Sequence, residues 1–233
     1  MTAFTMLPIT VNNDKLPVLD PDSYEPFGII ETNSLRHWIL GRDAGLVDLK
    51  KQKALAPYVN PPLLKSNHIV AGSDYATSTG IYDDVNQTLV VVFQMPDGLS
   101  TTPLCSYETP IQTGVGVLTS STNSIVMINK RSGGTVNESY PAVPGQWYFA
   151  AISVSLTETK VSIPALSIER TFSVNTPGTT GYVINVGGRS GGGFSGLGNV
   201  AEAIVFDKAL SLSEITKLYN RSKSRMADRG VII

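Results

Sequence analysis

The feature that most constrains this chain is a long series of short, β-rich runs separated by Gly, Pro, Asn and Ser. Gln87 to Met95, with Thr88-Leu89-Val90-Val91-Val92-Phe93 at its centre, is continuously apolar, as a strand covered on both faces requires. Gly114 to Leu118 and Ser124 to Asn129 bracket a Ser/Thr/Asn turn and predict a hairpin. Further strands are expected at Leu35 to Leu40, Trp147 to Val154, Lys160 to Ile163, Ser167 to Val174, Tyr182 to Val186 and Val200 to Phe206. Strand after strand with turn residues between them specifies a sandwich or a barrel.

Only the end of the chain breaks this rhythm. Ser211-Leu212-Ser213-Glu214 is a capping box, in which the Ser211 hydroxyl accepts from the Glu214 amide and the carboxylate reaches back. Leu210 and Ile215 hold the flanking staple positions, and Leu212, Ile215, Leu218, Tyr219 and Met226 recur at helical spacing. One helix is therefore predicted over about 212–226. The other end has no period at all. Pro8, Pro17, Pro21 and Pro26 exclude a helix there, so residues 1–33 read as an extended arm, either draped over the domain or docked on a partner, that needs something to order it. The remainder, residues 34–233, is expected to be one domain, a size common for all-β folds.

Composition narrows the function. Charged residues make up 16% of the 233, so the surface must be built largely from Ser, Thr, Asn, Gln and Gly. A net charge of −1 supplies no field to gather nucleic acid. Lys217, Arg221, Lys223 and Arg225 are expected to form the solvated face of the terminal helix, complementing its dipole. With one cysteine, Cys105, no disulfide can form within the chain, and a buried inert thiol is expected. The first residues show no secretory signal pattern and no apolar run is long enough to span a membrane, so synthesis in a cytoplasm is expected. On that footing the sequons at Asn86 and Asn137 are chance matches.

Three segments carry a resemblance. Pro144-Gly145-Gln146-Trp147-Tyr148-Phe149-Ala150-Ala151 is similar to the tryptophan-bearing strand of the laminin-G-like, concanavalin-type lectin family. Val186-Gly187-Gly188-Arg189 with Phe194-Ser195-Gly196 resembles its glycine turn. Asn199 to Ser211, running on through Ser213-Glu214-Ile215 to Leu218-Tyr219, resembles its closing strand and helix, and is the most specific of the three. More weakly, His37 to Gly41 followed by Asp48 is similar to the family's opening strand. The resemblance implies an all-β, two-sheet antiparallel jelly-roll sandwich with one C-terminal helix and an extended N-terminal arm. It also implies Trp147 and Trp38 as core anchors. Ala201 stands where the family has an acid, which argues against a polar network or metal there, and leaves Glu202 as a structural acceptor.

Catalytic patterns are missing. The alternating acids of glycosidases of this fold do not occur, and Asp83-Asp84, being adjacent, read as a solvated turn. His37 and His68 sit in no metal-ligand spacing, a Cys105/His68 nucleophile pair has no supporting signal, and no loop offers a calcium ligand set. Gly191 to Gly196 spells a dinucleotide fingerprint but leads into a strand, which removes the helix N-terminus that motif needs. No catalytic residue, metal or cofactor is expected.

The function expected from the sequence is thus a non-enzymatic carbohydrate- or receptor-binding module. The arm and the neutral surface resemble virion proteins of tailed bacteriophages. On that reading the arm docks to other virion proteins, the chain forms a homo-oligomer, and loops meet a host cell-surface glycan, without nucleic acid or membrane insertion. Tyr107, Asn123, Arg189 and Phe194 are the candidate ligand contacts, since aromatic stacking with amide or guanidinium hydrogen bonds suits sugars. Two other readings stay open. One is a purely structural virion component, such as a decoration, adaptor or collar protein; the other is a glycan-cleaving enzyme whose acids come from separate strands.

Overall fold

The computed structural model describes residues 30–50, 53–107, 113–131, 134–175, 178–188 and 196–233. Residues 1–29 of the expected arm, and the candidates Arg189 and Phe194, lie outside them.

The strands form two antiparallel sheets. The larger runs β13 (Ile168–Ser173), β12 (Glu158–Ile163), β11 (Trp147–Val154), β6 (Gln87–Gln94), β15 (Gly198–Phe206), β4 (Ile69–Ala71) and β3 (Leu63–Leu64), with β1 (Arg36–Ile39) also paired to β15. The smaller runs β10 (Gly134–Pro141), β9 (Ser124–Arg131), β8 (Gly114–Ser120), β7 (Leu104–Cys105), β14 (Val183–Val186), β5 (Thr77–Tyr82) and β2 (Ala56–Pro57). The expected two-sheet sandwich with one terminal helix is what forms. The helix, α1 (Leu212–Ala227), carries the predicted capping box: Ser211 Oγ accepts from the Glu214 amide at 3.3 Å, and Glu214 Oε2 accepts from the Ser211 amide at 2.8 Å.

Period-two alternation sorts the side chains into two cores. Trp38, Leu89, Val91, Phe93, Val117 and Ile125 belong to the core between the sheets. On the far side of the larger sheet, Ile39, Val90, Val92, Phe149 and Ile204 pack against Ile215, Leu218 and Met226 of α1. This explains the unbroken apolar run of β6, where every residue from Gln87 to Phe93 is buried: one face meets the other sheet and the next meets the helix side.

The regular alternation expected in β15 is interrupted. A bulge between Val200 and Glu202 puts both Ala201 and Glu202 on the helix side, while Val200, Ala203 and Val205 face the inter-sheet core. The bulge sits where β15 changes partner along one edge, from β4 at Gly198–Val200 to β1 from Glu202 onward. Trp38 is fully buried as expected, but Trp147 is only half-buried. It meets the His68 ring edge-on at 5.5 Å, and its neighbours Tyr148 and Phe149 are the fully enclosed aromatics of that strand.

Candidate functional site

The two sheets treat their outer faces differently, and this locates the site. The larger sheet gives its outer face to α1. Among the described residues no helix covers the outer face of the smaller sheet over β8, β9 and β10, where Leu118 and Ile128 are buried while Val126 and Lys130 are half-buried. There the outward residues of β9 are Val126, Ile128 and Lys130, with Leu118 beside them on β8 and Asn137 on β10. They floor a groove of about 200 Å³ whose remaining lining includes Ser100, Tyr107 and Ser120.

Glycines let the wall of this groove approach its floor. A Cβ at Gly116 would overlap the Cys105 side chain, and one at Gly114 (φ 133°) would overlap the Tyr107 backbone. The chain leaving β7 therefore lies directly against β8, which sets the Tyr107 ring beside Leu118 and Ile128. Burial raises the Tyr107 hydroxyl above its ordinary pKa, so the phenol stays protonated and able to donate. Cys105 is buried beneath it, as expected, with Sγ 3.8 Å from the Tyr107 carbonyl oxygen.

Of the candidates read from sequence, Tyr107 lines the groove. Asn123 sits apart, at the turn of the β8–β9 hairpin, in the left-handed region with φ 56°. Its Oδ1 accepts from the Gly98 amide at 2.8 Å and its Nδ2 donates to Asp97 Oδ1 at 3.4 Å, so its amide is engaged in holding the turn. The residues that sequence reasoning missed are Lys130, Asn137 and the hydroxyls of Ser100 and Ser120. Continuing the alternation of the recognised hairpin outward from Ile128 would have reached Lys130.

A second cavity, about 330 Å³, lies between residues 30–33 and α1. Its charges are largely spoken for: Lys208 pairs with Glu214 at 3.7 Å and Arg221 with Glu31 at 2.6 Å. Beyond it is a buried ionic chain. His37 Nε2 lies 2.8 Å from Glu202 Oε1, Arg225 Nε donates to the same oxygen at 3.0 Å, and Arg225 Nη1 reaches Glu31 Oε1 at 2.8 Å. The Glu31 amide points at His37 Nδ1, which assigns the ring proton to Nε2 and makes His37 a donor to Glu202. Burial alone would raise the Glu202 pKa, but the His37 hydrogen bond and the Arg225 charge outweigh it and hold the group down to about 2.

These contacts correct three expectations. Arg225 does not belong to a solvated face: it is buried against Glu202 and Glu31, while Arg221 keeps a partly exposed side chain and Lys217 and Lys223 are exposed. A polar network does form at Glu202 despite Ala201, because its partners come from β1, α1 and the segment before β1 rather than from the adjacent position. Nor is the Asp83-Asp84 turn wholly solvated. Asp83 is buried, accepts from the Thr180 and Tyr182 amides, and lies 3.5 Å from the enclosed Arg131. Burial lowers the pKa of that guanidinium, with Asp83 opposing the shift.

Cys105 and His68 lie on outer faces of opposite sheets, and His68 instead contacts Asn67 Oδ1 at 2.8 Å beside Trp147. Burial and the charges of Lys65 and Arg229 lower its pKa. Among the described residues, no three His, Cys, Asp or Glu side chains gather as a metal site, and no helix is long and apolar enough to cross a membrane.

No family model and no curated protein matches the sequence. Solved structures do. The binding domain of Paraclostridial Mosquitocidal Protein 1 superposes with a TM-score of 0.59 at 13% identity, over 81% of this chain and 52% of that one. The botulinum neurotoxin type G receptor-binding domain gives 0.58 at 10%, over 82% and 52%. A botulinum neurotoxin type C structure, whose cell entry depends on two ganglioside molecules, gives 0.54 at 16%, over 81% and 51%. The likeness is one of fold. It supports the β-sandwich implied by the lectin resemblance, and the chain spans about half the length of the structures it matches.

Proposed function

We propose that this chain is a non-enzymatic, lectin-like receptor-binding module that takes a cell-surface glycan in the groove over β8, β9 and β10. The observation that carries the reading is the composition of that groove. The half-buried Tyr107 and Val126, set over buried Leu118 and Ile128, offer an apolar surface suited to the face of a sugar ring, and Ser100, Ser120 and Asn137 offer hydroxyl and amide partners. The similar folds include receptor-binding domains and a toxin whose cell entry depends on gangliosides, and they support the same class. The setting we favour is a virion, in which residues 1–33 dock the module onto other virion proteins in a homo-oligomer; the sequence resemblance is its only support.

The test is a glycan array probed with the full chain and with Tyr107→Ala. Selective hits that weaken in the variant are expected, by about 1–3 kcal/mol for a stacked aromatic. An array without selective hits would overturn the glycan reading. It would favour the structural alternative, for which Val59, Leu63 and Leu64, apolar and exposed along one side of the sandwich, provide a protein-contact surface.

A further inference from the structure

We propose that the groove selects glycans carrying an anionic group, a sugar carboxylate or a sulfate ester, and that Lys130 is the residue that reads it. The proposal rests on the glycan reading above and names the ligand class within it.

The argument starts from charge. Among the described residues Lys130 is the only charged side chain lining the groove, the others being apolar, hydroxyl-bearing or amide. No described Asp or Glu lines it, and among the described residues Lys130 has no ion pair. Lys160 and Lys208 have carboxylate partners, Glu158 and Glu214, whereas Lys130 shares with Lys53, Lys65, Lys217 and Lys223 the lack of an ion pair among the described residues. What sets Lys130 apart from these is its place in a groove.

Position strengthens it. In the sheet Lys130 lies between Gly114 of β8 and Thr135 of β10, so one neighbour has no side chain and the other only a short one. Its half-buried stem runs beside Val126 and Ile128 on the same face of β9. An ammonium next to an aliphatic floor is less screened than one in open water, so an anion bound there is attracted more strongly than at an ordinary surface lysine.

The chemistry follows from these neighbours. A sugar ring seated against Tyr107 and Val126 can place an anionic substituent near Lys130 Nζ while its hydroxyls meet Ser100, Ser120 or Asn137. A neutral ring gains the stacking and hydroxyl contacts but leaves the ammonium unanswered. A cationic sugar meets only repulsion. Both anionic sources, a carboxylate as in sialic or uronic acids and a sulfate ester, present acceptor oxygens to the same three-donor head.

The experiment places neutral oligosaccharides beside their sialylated and sulfated counterparts on one array, read with the full chain, Lys130→Gln and Lys130→Arg. The full chain should bind the anionic forms about tenfold more tightly than their neutral parents, as a charge-assisted contact allows. That preference should shrink at high salt. Lys130→Gln should bind neutral and anionic forms alike, and Lys130→Arg should keep the preference. Selectivity for sialylated or for sulfated members alone would each support the proposal and identify the anion. Equal binding of neutral and anionic forms by the full chain would overturn it while leaving the glycan reading intact. So would a preference that survives in Lys130→Gln. Loss of all binding, neutral included, would instead remove the glycan reading and the proposal with it. Unchanged thermal unfolding of both variants would establish that the differences arise in the groove.

Discussion

The two outer faces of the sandwich contrast sharply. On the larger sheet, α1 covers the strands, the apolar side chains of both are buried together, and the buried carboxylates Glu31 and Glu202 are held by Arg225. On the smaller sheet no helix covers the outer face among the described residues, its polar lining is mostly uncharged, and Lys130, the one charged residue described there, has no ion pair. The difference teaches how a sandwich of this kind divides its labour. One face is committed to holding the last segment and the first described residues against the sheet; the other carries no such segment among the described residues.

The largest test of that contrast is Arg225→Met. Arg225 stands between two buried carboxylates, Glu31 and Glu202, and its loss leaves them facing each other without the shared cation. Breaking a buried ion pair from one side costs about 3–5 kcal/mol. Urea denaturation should show a loss of that size, and a loss under 1 kcal/mol would mean that the helix-covered face is not held by this network. Adding Glu202→Leu to Arg225→Met should recover part of the loss, since an apolar pair leaves fewer charges buried unpaired.

Acid probes the same face. Glu202 has an ordinary pKa of 4.5 and is held at about 2 in the folded protein. The unfolded chain therefore takes up its proton first as pH falls. The stabilisation is complete above about 4.5 and drains away as pH drops toward 2. The slope of unfolding free energy against pH in this window should flatten in Glu202→Gln. An unchanged slope would assign the acid sensitivity to other carboxylates.

Much of this architecture was legible in the sequence, and the failures have physical causes. β6, β8, β9, β11 and α1 announce themselves because each buries enough apolar surface to impose a period. β10 went unread: it is an edge strand whose inward side contributes Val136 and Tyr140 while Thr135, Asn137 and Ser139 face out, so its alternation is written mostly in polar residues. The ionic chain was hidden for another reason. Glu31, His37, Glu202 and Arg225 are far apart in sequence, and only the fold brings them together. Arg225 sits on the same helix as solvated lysines, and which face it shares is decided by Ile215, Leu218 and Met226 around it. At the groove, Tyr107 was recognisable as an aromatic next to a turn. Lys130 was not, because its meaning depends on which described residues share one face of three neighbouring strands, where Glu138 of β10 falls on the other face.

A smaller effect is expected at the start of α1. Ser211→Ala removes the hydroxyl that accepts from the Glu214 amide, and loss of such a cap costs about 1 kcal/mol. The helix should stay docked, because Leu210 and Ile215 are buried against the sheet irrespective of the cap. Thermal unfolding should shift down by a few degrees with an unchanged circular dichroism spectrum. A cooperative loss of helix signal well before global unfolding would show α1 to be less firmly integrated with the larger sheet than its buried contacts require.

The smallest effect belongs to the open face, and it is the sharpest discriminator. Lys130→Gln removes a full charge, as Arg225→Met does, yet should change stability by no more than about 0.5 kcal/mol. The reason lies in what each cation leaves behind. Removing Arg225 leaves two enclosed carboxylates without their shared cation, Glu202 with His37 alone and Glu31 with Arg221, whereas Lys130 answers no described protein charge in the groove, so its removal orphans nothing described there. Glutamine keeps most of the stem against Ile128 and a polar head in the solvent. Urea curves of the variant and the parent should overlay in both midpoint and slope. A loss as large as that from Ser211→Ala would mean that Lys130 stabilises the fold itself, and the division between a face that holds the protein together and a face that is free to bind would not stand.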